Sequence, residues 1–166
     1  MKTCRAAILL FTVAIVLWGC PYKSAVGIDD GPSIKIDKAL LGTWHKTGYP
    51  KDSTELVFTK SAAQKYTLTA FIKSTDKFET YHYTGWFSTL DKWQLLTLYD
   101  TDSKEYSFGE IVVENKQLSL KLLSDDIGSD EFKTIPEMRK FLETIYKEDK
   151  VIYDEEVDLT KMVKTN

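Results

Sequence analysis

From Leu40 to Leu122 apolar and polar residues alternate with a period of two, and turn residues break the alternation at short intervals. The run 54–60 places Leu56 and Phe58 on one face. Tyr66, Leu68, Ala70 and Ile72 line one face of the next run, against Thr67, Thr69 and Lys73. The run 78–90 is longer and aromatic, with Tyr81, Tyr83 and Phe87 on one face and His82 and Trp86 on the other. Trp93, Leu95, Thr97 and Tyr99 alternate with Gln94, Leu96 and Leu98; Tyr106, Phe108 and Val112 follow, then Leu118, Leu120 and Leu122. Between the runs stand Ser74-Thr75-Asp76-Lys77, Asp91-Lys92, Thr101-Asp102-Ser103 and Asn115-Lys116. Alternation punctuated in this way predicts antiparallel strands joined by hairpins, in a meander. One helix interrupts the series. Thr134-Ile135-Pro136-Glu137 is a capping box with proline in the first turn, where a missing N–H costs nothing. Met138, Phe141, Leu142 and Ile145 then recur at helical spacing, Glu143 and Lys147 pair on the wet side, and the helix should end near Asp149. A last alternating run at 157–163 reads as a closing strand. The pattern therefore predicts a mainly β fold: about eight antiparallel strands closing into a barrel, with one amphipathic helix before the last strand.

The N-terminus follows a different rule. Residues 6–18 are almost wholly apolar and follow Lys2 and Arg5. Thirteen residues suit the core of a signal peptide and fall short of the ~20 needed to span a bilayer as a helix. The run closes on Leu17-Trp18-Gly19-Cys20, which resembles the lipobox of bacterial lipoproteins. The resemblance implies that residues 1–19 are a signal peptide and that Cys20 becomes the lipid-bearing N-terminus. Pro21 and Tyr22 follow the cysteine where an inner-membrane retention signal would carry Asp, which points to the outer membrane. Residues 20–37, rich in Pro, Gly, Ser and Asp, read as the lipidated end and a tether. As a free coil this tether would span roughly 20–25 Å. The alternative is an ordered strap docked through Val26, Ile28, Ile34 and Ile36. Residues 38–166 form the barrel domain.

Leu41-Gly42-Thr43-Trp44 resembles the G-x-W signature that opens the first strand of lipocalins and related calycin barrels, where the Trp plugs the closed end. Here the family's Thr-Asp-Tyr loop is only echoed, by Asp100-Thr101-Asp102. Its Arg over the Trp has no counterpart on the last strand. The one Arg beyond the signal, Arg139, lies on the helix, and Lys161 or Lys150 would have to stand in. The helix also precedes the last strand, whereas lipocalins place theirs after it. The chain is similar overall to the small lipocalin-like lipoproteins of diderm bacteria.

Charge and chemistry narrow the function. Without residues 1–19, 20 basic side chains face 25 acidic ones with no basic run, which argues against nucleic acid and against docking on anionic lipid. Loss of Cys4 with the signal and lipidation of Cys20 would leave no thiol for a disulfide or a metal. His45 and His82 are the only histidines; His45 with Asp52 and Glu55, or His82 with Glu79, could assemble as a zinc set, but both histidines read as ordinary strand residues. Asp125-Asp126 and Asp130-Glu131 flank a Gly/Ser loop and read as solvated. Asp100-x-Asp102 does not match a calcium loop. No catalytic residue, metal or cofactor is expected. The aromatic residues, 13% of the chain, crowd between Tyr66 and Phe108. They fill the barrel as a solid core, or they line a pocket for a small apolar or amphipathic ligand. In the pocket reading the candidates are Tyr81, Tyr83 and Phe87 on one face, or Trp86 and Trp93 across the Asp91 turn. The expectation is a monomeric, non-enzymatic, membrane-anchored binding lipoprotein of the envelope. The alternative is a module with a solid barrel that contacts another envelope protein.

Overall fold

The computed structural model describes residues 21–32, 34–46, 54–74, 77–128, 132–154 and 159–165. The expected signal peptide, Cys20, Asp52, Thr75-Asp76, Asp130-Glu131 and the start of the last alternating run, 157–158, lie outside the described residues. The strands are β1 (Gly42–Lys46), β2 (Thr54–Ala62), β3 (Lys65–Ser74), β4 (Lys77–Leu90), β5 (Trp93–Asp100), β6 (Glu105–Glu114), β7 (Gln117–Leu122) and β8 (Leu159–Lys164). They form a closed antiparallel barrel in sequence order, so each strand pairs with its chain neighbours and β8 returns to β1. Helix α1 (Ile135–Lys147) falls between β7 and β8.

The two-residue period decides what fills the barrel. Leu56 and Phe58, then Tyr66, Leu68 and Ala70, then Phe87, Leu96, Leu98, Leu118 and Leu120 form one buried interior cluster. Phe58 meets Tyr66 edge-on at 6.2 Å, and Tyr66 meets Phe87 edge-on at 6.0 Å. The turns have the geometry their residues favour. Asn115 and Lys116 both adopt positive φ, 50° and 63°, as a two-residue hairpin of primed type requires.

The closing strand breaks the simple alternation. Leu118 lies opposite Met162 and Leu120 opposite Leu159, so β8 carries one extra residue there, beside Lys161 at a φ of 55°. This bulge turns both Leu159 and Met162 inward although they stand three apart, and it leaves Lys161 exposed. An unbroken period of two would have put Lys161 on the same face as Leu159.

The end of the barrel where β1 begins is capped. Trp44 is 1% exposed, and its indole Nε1 donates to the Leu40 carbonyl at 2.8 Å. Ile34, Ile36 and Leu41 pack against the same cluster. The cation over this Trp is Lys164 rather than Lys161 or Lys150. Its Nζ lies 5.3 Å from the ring centroid and donates to the Ala39 carbonyl at 3.1 Å. Gly42 stands at a φ of 124°, and a Cβ there would fall 2.7 Å from the Lys164 Cε. The Gly in this motif is therefore favoured by its backbone conformation, and the flexible end of Lys164 lies in the space a side chain would take.

A second apolar layer lies outside the barrel. Helix α1 begins with the expected capping box: the Thr134 hydroxyl accepts from the Glu137 N–H, and the Glu137 carboxylate accepts from the Thr134 N–H at 3.1 Å. Met138, Leu142, Ile145 and Tyr146 are its buried face, packed with Leu90, Leu95 and Phe108 from the outer side of β4–β6. β5 is consequently buried on both faces through Leu95-Leu96-Thr97-Leu98. On the same covered wall Ser88 and Thr97 satisfy each other through a hydroxyl–hydroxyl bond of 2.8 Å.

Residues 21–32 form an ordered strap on this wall, in place of the free coil expected there. Pro21 bridges Ser124, the Tyr22 N–H donates to the Leu123 carbonyl at 2.7 Å, and Ser24 pairs with Tyr106. Tyr22 and Ile28 are buried. Arg139 latches the strap to the sheet, donating to the Ile28 carbonyl at 3.1 Å and to the Thr89 carbonyl at 3.0 Å. Burial of two large apolar side chains and pairing of backbone groups offset the ordering entropy that Pro, Gly and Asp composition alone would have left uncompensated.

Replacing Trp44 by Ala removes the plug, and the loss in urea unfolding should reach ~3–5 kcal/mol. Trp44→Phe keeps most of the packing but leaves the Leu40 carbonyl unpaired, and should cost about 1–3 kcal/mol.

Candidate functional site

The five aromatic candidates divide between the two faces of the wall. Tyr81, Tyr83 and Phe87 point into the barrel. Phe87 is locked in the core by its contact with Tyr66. Tyr81 and Tyr83 are only half-buried, nearer the end opposite the Trp44 cap, with rings stacked at 6.4 Å and 17°. The Tyr81 hydroxyl donates to Glu79. Tyr83 lies opposite Asp100 in the β4–β5 register. Burial, then the Asp100 carboxylate, then Tyr81 push its pKa up to about 12. Trp93 stands outside, 5.2 Å from Tyr146 of α1, where it belongs to the helix-covered layer. Trp86 is also outside, but beneath the strap. Trp86 and Trp93 therefore do not join across the Asp91 turn.

The histidines take no part in a cluster among the described residues. His45 lies opposite Glu55 in the β1–β2 register, and its Nδ1 is 3.1 Å from the Thr165 hydroxyl. His82 lies opposite Thr69, with Nδ1 3.4 Å from that hydroxyl, while Glu79 stands on the other face of the strand with Tyr81. Among the described residues no group of three or more His, Cys, Asp or Glu side chains is gathered as a metal would need. Asp125 and Asp126 are exposed in a 3-10 turn. Asp100 spends one carboxylate oxygen on the Asp102 and Ser103 N–H groups, closing its own hairpin.

A cleft of about 570 Å³ lies between the strap and the outer wall. Its floor is Trp86, Tyr99 and Tyr106, which alternation puts on the outer face of three adjacent strands. Tyr106 meets Trp86 edge-on at 6.2 Å and Tyr99 at 4.9 Å, making one continuous aromatic surface. The strap supplies the opposite wall with Gly27, Asp29 and Asp30. Gly27 lies so close to Tyr106 that a Cβ would fall 3.2 Å from its ring. Asp29 accepts the Trp86 indole N–H at 2.9 Å, which fixes the strap carboxylate at the edge of the floor. Lys65 at the rim holds its ammonium 5.3 Å from the Trp86 ring. Burial first, then Tyr99 and Asp29, raise the Tyr106 pKa, so its hydroxyl keeps its proton at physiological pH. The cleft thus combines flat apolar rings, two carboxylate acceptors and one cation.

Of the expected candidates only Trp86 lines this cleft. Tyr99 and Tyr106 are recognisable in the sequence as members of aromatic strands, but nothing there shows that their rings meet each other and Trp86. Asp29 and Lys65 carry no sequence signal, because their role depends on where the strap lies. No helix among the described residues is long and apolar enough to cross a membrane. No protein-family model, curated protein or solved structure matches this chain.

Tyr83 should make stability fall at high pH. Unfolded, it ionises near its ordinary value of 10.0; folded, it keeps its proton to about 12. Its contribution is therefore complete below pH 10.0 and is lost as pH rises toward 12, where the unfolded chain has released a proton that the folded one retains. The urea midpoint should decline through that window, and Tyr83→Phe should make the decline shallower.

Proposed function

We propose that this chain is a non-enzymatic binding lipoprotein of the bacterial envelope, anchored through Cys20. Its binding site is the strap cleft on the outer wall rather than the barrel lumen. The observation that supports this is the contrast between the two sides of the sheet. Inside, Trp44, Phe58, Tyr66 and Phe87 belong to one contiguous buried cluster. Outside, Trp86, Tyr99 and Tyr106 border a cleft of about 570 Å³, within the size range of small-molecule sites. The lining favours an amphipathic ligand. An apolar ring face or short chain would lie on the aromatic floor, and hydroxyl or ammonium donors would meet Asp29 and Asp30. Lys65 suits an acceptor at the rim. The buried interior cluster also fits the alternative of contact with an envelope protein, and the same cleft would then receive a side chain of the partner.

Native mass spectrometry of protein purified gently from its own host checks this reading. A bound small molecule is expected, and Tyr99→Ala or Lys65→Ala should reduce its occupancy at least ~10-fold, as loss of about 1.4 kcal/mol would. Tyr81→Phe should leave occupancy unchanged. The reverse pattern would move the ligand to the half-buried tyrosines inside the barrel, and protein that is always empty would favour the partner-contact alternative.

A further inference from the structure

The strap fixes where a lipid on Cys20 would leave the domain. Pro21, the next residue, is already held in a bridge to Ser124. Tyr22 follows it, 4% exposed, bonded to the Leu123 carbonyl and packed 6.4 Å from both Phe108 and Phe141. Consecutive Cα atoms are about 3.8 Å apart, so a single peptide unit separates the docked Pro21 from Cys20 along the chain. We infer that the lipidated protein has no free tether and rides directly on the bilayer, with the Pro21–Ser124–Ile152 corner as its contact surface. This rests on the reading of Cys20 as a lipid anchor.

Three observations support that pose. The Ser124 N–H donates to the Ile152 carbonyl at 2.9 Å, which places Ile152 next to the exit point. Ile152 is 44% exposed, and among the described residues Val112 is the other large apolar side chain left so open. Ile127, Phe132 and Phe141 lie around the same corner, half-buried, with Phe132 and Phe141 in ring contact at 4.8 Å. Asp125 and Asp126 are exposed there too, so attraction to anionic headgroups is not the driving force. The acyl chains hold the surface, and Ile152 enters the interfacial region of a zwitterionic bilayer.

The topology then sets which end faces away. β7 runs from the capped end toward Ser124, and the strap runs back along the wall from Ser124 past Tyr106 and Trp86 to the Leu40–Trp44 cap. The cap and the β4–β5 turn at Asp91-Lys92 therefore point away from the membrane, and the strap cleft stands on the side wall, open to the periplasmic or external fluid.

The test uses the full chain, expressed with its own signal in a diderm host and reconstituted into phosphatidylcholine vesicles. Mass analysis of its N-terminal peptide reports acylation separately from pose. Ile152→Cys and Lys92→Cys each offer one free thiol for an environment-sensitive fluorophore once Cys20 is acylated. The expected result is a blue shift, and several-fold stronger quenching by nitroxide-labelled lipid, at position 152 than at 92. Tyr22→Ala, which unseats the strap, should remove that difference while acylation persists. Equal, water-like labels at both positions in acylated protein would overturn the pose. An N-terminus without acyl chains would overturn the anchor, and the pose with it.

Discussion

Three residue pairs join β1 to β8: Trp44 to Lys164, His45 to Val163 and Lys46 to Met162. Without this seam the sheet would have two edges of unpaired N–H and C=O groups and an interior open along its length. The same few residues also build the cap, since Trp44 reaches back to the Leu40 carbonyl while Lys164 crosses its ring to the Ala39 carbonyl. The bulge at Lys161 is part of this arrangement, because it lets a short last strand present both Leu159 and Met162 to the interior. Closure, plugging and register are thus one local solution, and the apolar interior exists because of it.

Trp44, Phe58, Tyr66 and Phe87 belong to one buried cluster inside the barrel, and in the proposed reading recognition falls to the outer surface. Among the described residues that surface is elaborated mainly on one side. Helix α1 and the strap both lie on β4–β6, joined to each other and to the sheet by the two Arg139 hydrogen bonds. The strap does two things at once. It supplies one wall of the cleft, through Gly27 and Asp29, and it carries the chain from the Pro21–Ser124 bridge toward the cap. In the proposed reading, ligand binding and membrane attachment are therefore mechanically adjacent, since Tyr22 and Ile28 are seated in the same outer layer.

Much of the fold was legible because alternation is a direct consequence of the pleat. The strands β2 to β7, the turns at Asp91-Lys92, 101–103 and Asn115-Lys116, the capping box and the Glu143–Lys147 pair, observed at 3.6 Å, stand where the pattern put them. The candidate site was legible only in part. Parity along β4 separated Tyr81, Tyr83 and Phe87 from Trp86, but which of the two faces is the interior depends on what covers the other one. The lysine over Trp44 was also misplaced, because counting along β8 takes no account of a bulge.

The sequence by itself determined the strand order, the helix between the last two strands, the aromatic wealth of β4–β6 and the Gly42-x-Trp44 start of the barrel. These are local properties, fixed by period, turn chemistry and caps. Only the tertiary structure decided that the segment after Cys20 is a strap and that Trp86, Tyr99, Tyr106, Asp29 and Lys65 share one cleft. That segment has no strong conformational preference of its own. Its order comes from partners such as Leu123, Tyr106 and Arg139, which lie about 80 residues or more further along the chain and meet it only once the barrel has closed.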